Sequence, residues 1–230
     1  MIARFFSALV GWLLRLVAAF VVLSLLWVTA YRFVSPPITW LQARDAIAGK
    51  HVEREWAPLP AMTKALPRSV IGAEDANFCS HSGFDLKAME AAASANMAGK
   101  KLRGGSTITQ QTAKNAFLWP GRSYVRKGLE AWFSLLIELV WGKPRIMEVY
   151  LNIIEMGPGI YGMEAAAQHY FGKNVAKLSN RQAARLAAIV PQPITRSAVK
   201  PSRQVKRYAR RIERRVKVVA DEGIDACLWQ

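Results

Sequence analysis

Residues 5–34 form one nearly unbroken apolar run, interrupted by Arg15 and Arg32, whereas the rest of the chain alternates apolar and polar positions mostly at helical spacing. A membrane-crossing helix needs about 20 apolar residues. Arg15 can snorkel to the nearer interface, so Gly11 to Phe33 reads as a span, with Trp12, Trp27, Tyr31 and Phe33 near its ends as interfacial aromatics. The run is longer than a signal-peptide core of about 7–15 residues. No small-x-small cleavage site stands out after Ala30, so an uncleaved anchor is expected rather than a signal peptide or a buried core helix. Ser35-Pro36-Pro37 ends the helix, because proline cannot continue it and restricts the residue before. Residues 35–60, closed by Pro58 and Pro60, read as an irregular linker, and residues 61–230 as the folded domain.

Within that domain the periodicity is helical almost throughout, with no convincing alternating run and no internal repeat. Met62, Leu66, Val70 and Ala73 share one face, with Pro67 a candidate break. Asp85 can cap a helix to Ala98 whose inner face is Leu86, Met89 and Ala93. Thr107 with Gln110, and Ser179 with Gln182, are capping-box pairs. Arg122–Trp141 predicts a long amphipathic helix with Leu129, Trp132, Phe133, Leu136 and Val140 inward, and Pro144 opens another over Ile146, Val149, Ile153 and Ile154. Gly157-Pro158-Gly159 predicts a turn, and Tyr161–Phe171 an alanine-rich helix. From Pro201 to Ala220, Arg203, Lys206, Arg207, Arg210, Arg211, Arg214 and Arg215 recur at three- and four-residue steps, a basic stripe broken by Glu213.

Charge changes this picture. Lys and Arg number 32 against 16 Asp and Glu, a formal charge of +16 that calls for an anionic partner. The basic stripe is either a solvated face or a contact for anionic lipid head groups. A nucleic-acid partner is not expected, since Tyr208 is the stripe's one aromatic side chain for stacking. Two cysteines, Cys79 and Cys227, are too few for a disulfide scaffold, and they are expected to stay unbridged because Cys227 reads as part of a mobile tail. With His51, His81 and His169 they make no zinc spacing.

Candidate chemistry lies in two stretches, Ser69–Asp85 and Arg103–Asn115. Glu74 and Asp75 end an apolar helix, where the helix dipole disfavours acids; burial there would raise the Glu74 pKa and suit it to proton transfer. Gly104-Gly105-Ser106-Thr107 opens a helix and offers backbone N–H groups to an anion, in neither a Walker nor a dinucleotide pattern. Gln110, Gln111, Lys114 and Asn115 follow within two turns, and then Arg122, Arg126 and Lys127. Glu130, four residues beyond Arg126, also reads as its ion-pair partner.

The segments EDANFCSHSGFD, RGGSTITQQTAKN, RKGLE and RIMEVYLN with GIYGMEAAAQHYFGK resemble, in order and interval, the motifs of family 51 glycosyltransferases, over about Trp56 to Pro193. The resemblance implies a mainly α, lysozyme-like glycosyltransferase domain with a smaller membrane-facing lobe and one N-terminal transmembrane helix. It implies polymerisation of lipid II into β-1,4 glycan strands with release of undecaprenyl pyrophosphate, from a single-pass inner-membrane protein with a cytoplasmic stub and a periplasmic domain. No transpeptidase domain is expected to follow. By position Glu74 would be the catalytic base, Glu130 the second motif glutamate, and Lys114, Arg122, Arg126 and Lys127 the pyrophosphate side. Asp75, His81, Ser106, Gln110, Gln111 and Asn115 would be substrate-side or supporting residues. Ala76, Asn77 and Cys79 depart from residues common in relatives. No cofactor is required by the sequence, although a divalent cation, Mg or Mn, could share the pyrophosphate. Growing glycan, anionic lipids and other cell-wall and division proteins are the partners implied. The competing readings are a lysozyme-like lytic transglycosylase and an inactive anchored scaffold.

Overall fold

A computed structural model describes residues 2–99 and 104–229 of the chain, which is mainly helical. Helix α1 (Ile2–Phe33) holds the apolar stretch Phe5–Phe33, long and apolar enough to cross a membrane and almost entirely unburied. At about 1.5 Å per residue that stretch is roughly 44 Å long, against a hydrocarbon core of about 30 Å. The surplus length is used for packing. Phe20 lies against Trp132 with ring centroids 5.9 Å apart, Trp132 donates from Nε1 to Ser24 Oγ (3.1 Å), and Trp141 donates to the carbonyl of buried Val28 (2.8 Å). Arg145 closes the end of the helix by donating to the carbonyls of Tyr31 and Val34, each at 2.9 Å, where a cation also complements the helix dipole.

The linker expectation for residues 35–60 is corrected. The segment holds α2 (Trp40–Ile47), opened by a Thr39–Gln42 capping box, and strand β1 (Glu53–Arg54). Periodicity missed α2 because a buried acid, not an apolar stripe, anchors it. Asp45 is 1% exposed, pairs with Arg44 (2.8 Å) and Lys50 (3.1 Å), and accepts from Tyr161 Oη (2.9 Å). The absence of strands is corrected too. β1 runs parallel to β3 (Ile160–Tyr161), which pairs antiparallel with β2 (Glu155–Gly157), in the order β1-β3-β2. Strands of two and three residues are too short to show alternation.

Helix α3 (Ala65–Glu74) is continuous through Pro67, which falls in the first turn where no intrahelical donor is lost. Asp85 caps α4 (Leu86–Met97) through the Ala88 amide (2.9 Å), but the face expected inward is exposed at Leu86, Met89 and Ala93. Two capping boxes form as read, Thr107–Gln110 on α5 (Ile108–Phe117) and Ser179–Gln182 on α9 (Asn180–Ile189). Helix α6 (Tyr124–Val140) buries Phe133 and Leu136, and α7 (Lys143–Ile153) buries Ile146, Val149 and Ile153. Helix α8 (Met163–Phe171) follows the Gly-Pro-Gly turn, where a Cβ on Gly159 would meet the His51 carbonyl oxygen at 2.1 Å. Helix α10 (Arg203–Asp221) buries Val205, Ala209, Ile212, Val216 and Val219 against α3 and α9, leaving its arginine stripe outward.

The cysteine expectation is overturned: Cys79 and Cys227 form a disulfide, with Cα atoms 5.6 Å apart. The C-terminal segment is no free tail. After α10 it folds back as a 3-10 turn, Ala226–Leu228, pinned by Asp225 to Arg68 (2.7 Å) and by Lys64 over the Trp229 ring. A bridge closing a loop this long typically contributes about 2–4 kcal/mol.

Candidate active site

Glu74 is the last residue of α3, and the chain turns out of the helix at Asp75. The carbonyls just before it are taken by side chains of α10: Arg215 donates to Gly72 (2.6 Å) and Tyr208 to Ala73 (3.1 Å). These bonds satisfy helix-end acceptors that would otherwise be orphaned. The half-buried Glu74 carboxylate accepts from Gln111 Nε2 (3.1 Å) on α5. Gln111 is oriented in turn by Tyr150 of α7, whose hydroxyl donates to Gln111 Oε1 (3.1 Å). Tyr150 is fully buried and its pKa lies well above the ordinary value, chiefly through desolvation, so its phenol stays a donor. The Glu74 pKa is raised, first by desolvation; the Gln111 bond and the charges of Arg196 and Lys114 pull it back, while Asp75 pushes it up.

Asp75 and His81 form the frame beneath the base. Buried Asp75 accepts from the Ile108 amide at the start of α5 (2.9 Å), and His81 Nε2 lies 3.0 Å from both of its oxygens. His81 Nδ1 accepts from the Gly83 amide (3.2 Å), which leaves the proton on Nε2 to donate to Asp75. The helix N-terminus expected to receive an outside anion is thus occupied by the chain's own carboxylate. Gln110 likewise turns inward, its Oε1 closing the capping box on the Thr107 amide (3.0 Å). Arg103, first residue of that motif, lies outside the described residues.

Two clefts open near the two ends of α5. One, about 150 Å³, is lined by Glu74, Asn77 and Ser106. The other, about 280 Å³, is lined by Lys114, Asn115, Arg122 and Arg126, with Leu41 and Trp119 as apolar walls. Ser123 caps α6 through the Arg126 amide (3.1 Å), which brings Arg126, Lys127 and Glu130 into its first two turns. Glu130 is 3% exposed, 3.4 Å from Arg126 and bonded to Lys127. Arg126 Nε is buried with no partner among the described residues. The Lys114 ammonium makes no ion pair among the described residues, and its pKa is lowered first by desolvation, with Glu130 opposing and Arg126 and Lys127 adding to the fall. The second cleft therefore concentrates positive charge with one buried carboxylate beneath it, an arrangement fitted to a compact polyanion.

Beyond Glu74 the surface continues as a groove of about 240 Å³ lined by Pro191, Arg196, Gln204, Tyr208 and Arg211. Arg196, Tyr208 and Tyr150 were not among the expected site residues. Tyr150 stood in plain view inside RIMEVYLN, one place from the predicted inner face, and a phenol on a wholly buried helix is a polar group that must find a partner. Tyr150→Phe is expected to lower turnover about three- to tenfold, the size of one net hydrogen bond. Loss of the Gln111 contact should move the acid limb of the pH–rate profile upward, because that contact lowers the Glu74 pKa; a steady-state profile against pH checks both.

A desolvated carboxylate beside a cationic cleft suits the transfer of a group away from an anionic leaving group. Residues 42–222 match the family model described as Transglycosylase, and the chain belongs to that family. It is similar to the biosynthetic peptidoglycan transglycosylase of Caulobacter vibrioides, at 54% identity over 201 residues, which covers 87% of this chain and 88% of the relative. The proteins of the same name from Shewanella oneidensis and Rhodospirillum centenum are 45% and 47% identical, covering 91% and 93% of this chain and 92% and 94% of theirs.

Proposed function

We propose that the chain polymerises lipid II, the disaccharide-pentapeptide on undecaprenyl pyrophosphate, with Glu74 as base and the Lys114–Arg122–Arg126 cleft as the seat of the donor diphosphate. Family membership makes it a glycosyltransferase of peptidoglycan synthesis; the residue roles are our reading. Glu74 removes the proton from the 4-hydroxyl of the acceptor GlcNAc. That oxygen attacks C1 of the donor MurNAc from the face opposite the diphosphate, and the breaking C1–O bond leaves its electrons on the diphosphate. A glycosidase normally supplies an acid to its leaving group, and two carboxylates flank the bond. A diphosphate leaves as a stable anion, so fixed cations can take the place of the acid.

The observation that carries a lipid-linked donor is the direction of α6 beside α1. Their contacts run in the same order, Phe20 with Trp132 and Val28 with Trp141, so α6, from its start at Tyr124, runs alongside the apolar helix. The cationic cleft lies at that starting end, and Trp119, Tyr124 and Val125 are exposed around it. A diphosphate on these cations, with its lipid tail beside the exposed apolar side chains, suits this arrangement better than a free nucleotide sugar. The disulfide supports an oxidising compartment, hence a periplasmic domain on an inner-membrane anchor. The outward cations of α10 are our candidates for contact with anionic lipids.

A divalent ion would find no cage of three carboxylate, histidine or cysteine ligands among the described residues, and Glu130 is already engaged by Arg126 and Lys127. No step is assigned to such an ion. The test is purified full-length protein in detergent with labelled lipid II, with and without chelator. Lengthening glycan and released undecaprenyl pyrophosphate are expected; shortening of preformed strands without polymerisation would make the enzyme lytic instead.

A further inference from the structure

We infer that the Cys79–Cys227 disulfide positions the catalytic carboxylate, by fastening the turn that follows Glu74 to the C-terminal brace of α3. The inference rests on Glu74 being the base. Two bodies grip the end of α3. On one side α5 holds it, through Ile108 to Asp75 and Gln111 to Glu74. On the other, α10 holds it, through Arg215 to Gly72 and Tyr208 to Ala73. The segment after α10 then returns along the outside of α3, with Asp225 on Arg68, and ends at Cys227 on Cys79. Cys79 lies five residues beyond Glu74, in a turn whose inner side is held by Asp75 on His81 and by Lys143 on the His81 carbonyl (2.7 Å). The disulfide is the covalent tie between that turn and the brace. Without it the turn keeps its inner hydrogen bonds and α10 keeps its buried face on α3 and α9, but the turn after Glu74 loses its one covalent link to that brace and can shift relative to the Arg215 and Tyr208 contacts. Geometry of this kind acts on the chemical step more than on substrate capture.

The full-length Cys79→Ser/Cys227→Ser variant in detergent, compared with the oxidised protein, tests this by hydrogen exchange and by polymerisation kinetics. Faster exchange is expected at the amides of residues 75–80 and of Ile108, with α7 and α9 unchanged. The kcat should fall about ten- to a hundredfold while KM stays within about twofold, a split that a loss of global stability would not produce below the melting temperature. Unchanged exchange at residues 75–80, or an unchanged kcat, overturns the inference. If the variant fails to fold, the same exchange is read on folded wild-type protein treated with dithiothreitol. That reagent is oxidised to its cyclic disulfide as Cys79 and Cys227 each take up an electron and a proton. If oxidised wild-type protein does not polymerise lipid II at all, the proposed function fails, whereas the exchange comparison still decides whether the bridge holds the turn.

Discussion

Glu74→Gln is expected to abolish polymerisation while leaving the protein as stable as before or more so at neutral pH. A positioned base contributes about 10²–10⁴-fold, so turnover should fall by at least two orders of magnitude with lipid II binding nearly unchanged. The stability side follows from the raised pKa. An acid whose folded pKa lies above its unfolded value favours the fold when protonated, and that contribution is lost as pH rises through the folded pKa. At pH 7–8 the wild-type carboxylate is therefore a burden that glutamine relieves, since the amide oxygen can still accept from Gln111. Below the unfolded carboxylate pKa the two proteins should melt alike. Thermal melting at pH 4 and pH 7.5, beside a polymerisation assay, separates this from a structural role, in which the variant would melt lower at both.

Lys114→Met should show the complementary pattern. Its ammonium sits partly desolvated in the diphosphate cleft among other cations. Removing one donor that meets developing negative charge typically costs about 10²–10³-fold in rate. A loss of that order in kcat/KM is expected, larger than for exposed Arg122. A lysine whose pKa is lowered by folding destabilises the fold while it is protonated, so methionine, similar in length and uncharged, should raise the melting temperature at neutral pH. A shift of about 2–4 °C would correspond to about 1 kcal/mol in a chain of this size. Lost activity with a lowered melting temperature would instead mark Lys114 as a structural residue.

Much of the architecture was readable because it rests on periodicity and caps. α6, α7 and α9 appear where apolar spacing and the Ser179–Gln182 pair placed them. What was hidden rests on single long-range pairings. α2 is anchored by Asp45 on Tyr161, the strands are too short to alternate, and Cys227 meets Cys79 only because α10 reverses the chain. The candidate site was legible in the same uneven way. Glu74 and Gln111 meet, with the Lys114 charge acting on Glu74 from the neighbouring cleft, but Gln110, adjacent to Gln111 on α5, faces inward, and only the helix phase relative to α3 separates the two glutamines. Arg196, whose charge acts on Glu74, and Tyr208, which bonds the neighbouring Ala73 carbonyl, come from segments remote in sequence and carry no local signal.

The central claim is that a desolvated Glu74, held next to fixed cations, takes the acceptor proton. It is tested most directly by the pH dependence of kcat/KM for lipid II polymerisation, measured for wild type and Lys114→Met. The acid limb should lie above the ordinary carboxylate range and move to still higher pH in the variant, because the Lys114 charge lowers the Glu74 pKa. An acid limb at or below the ordinary carboxylate range in wild type, unmoved by the loss of Lys114, would contradict it.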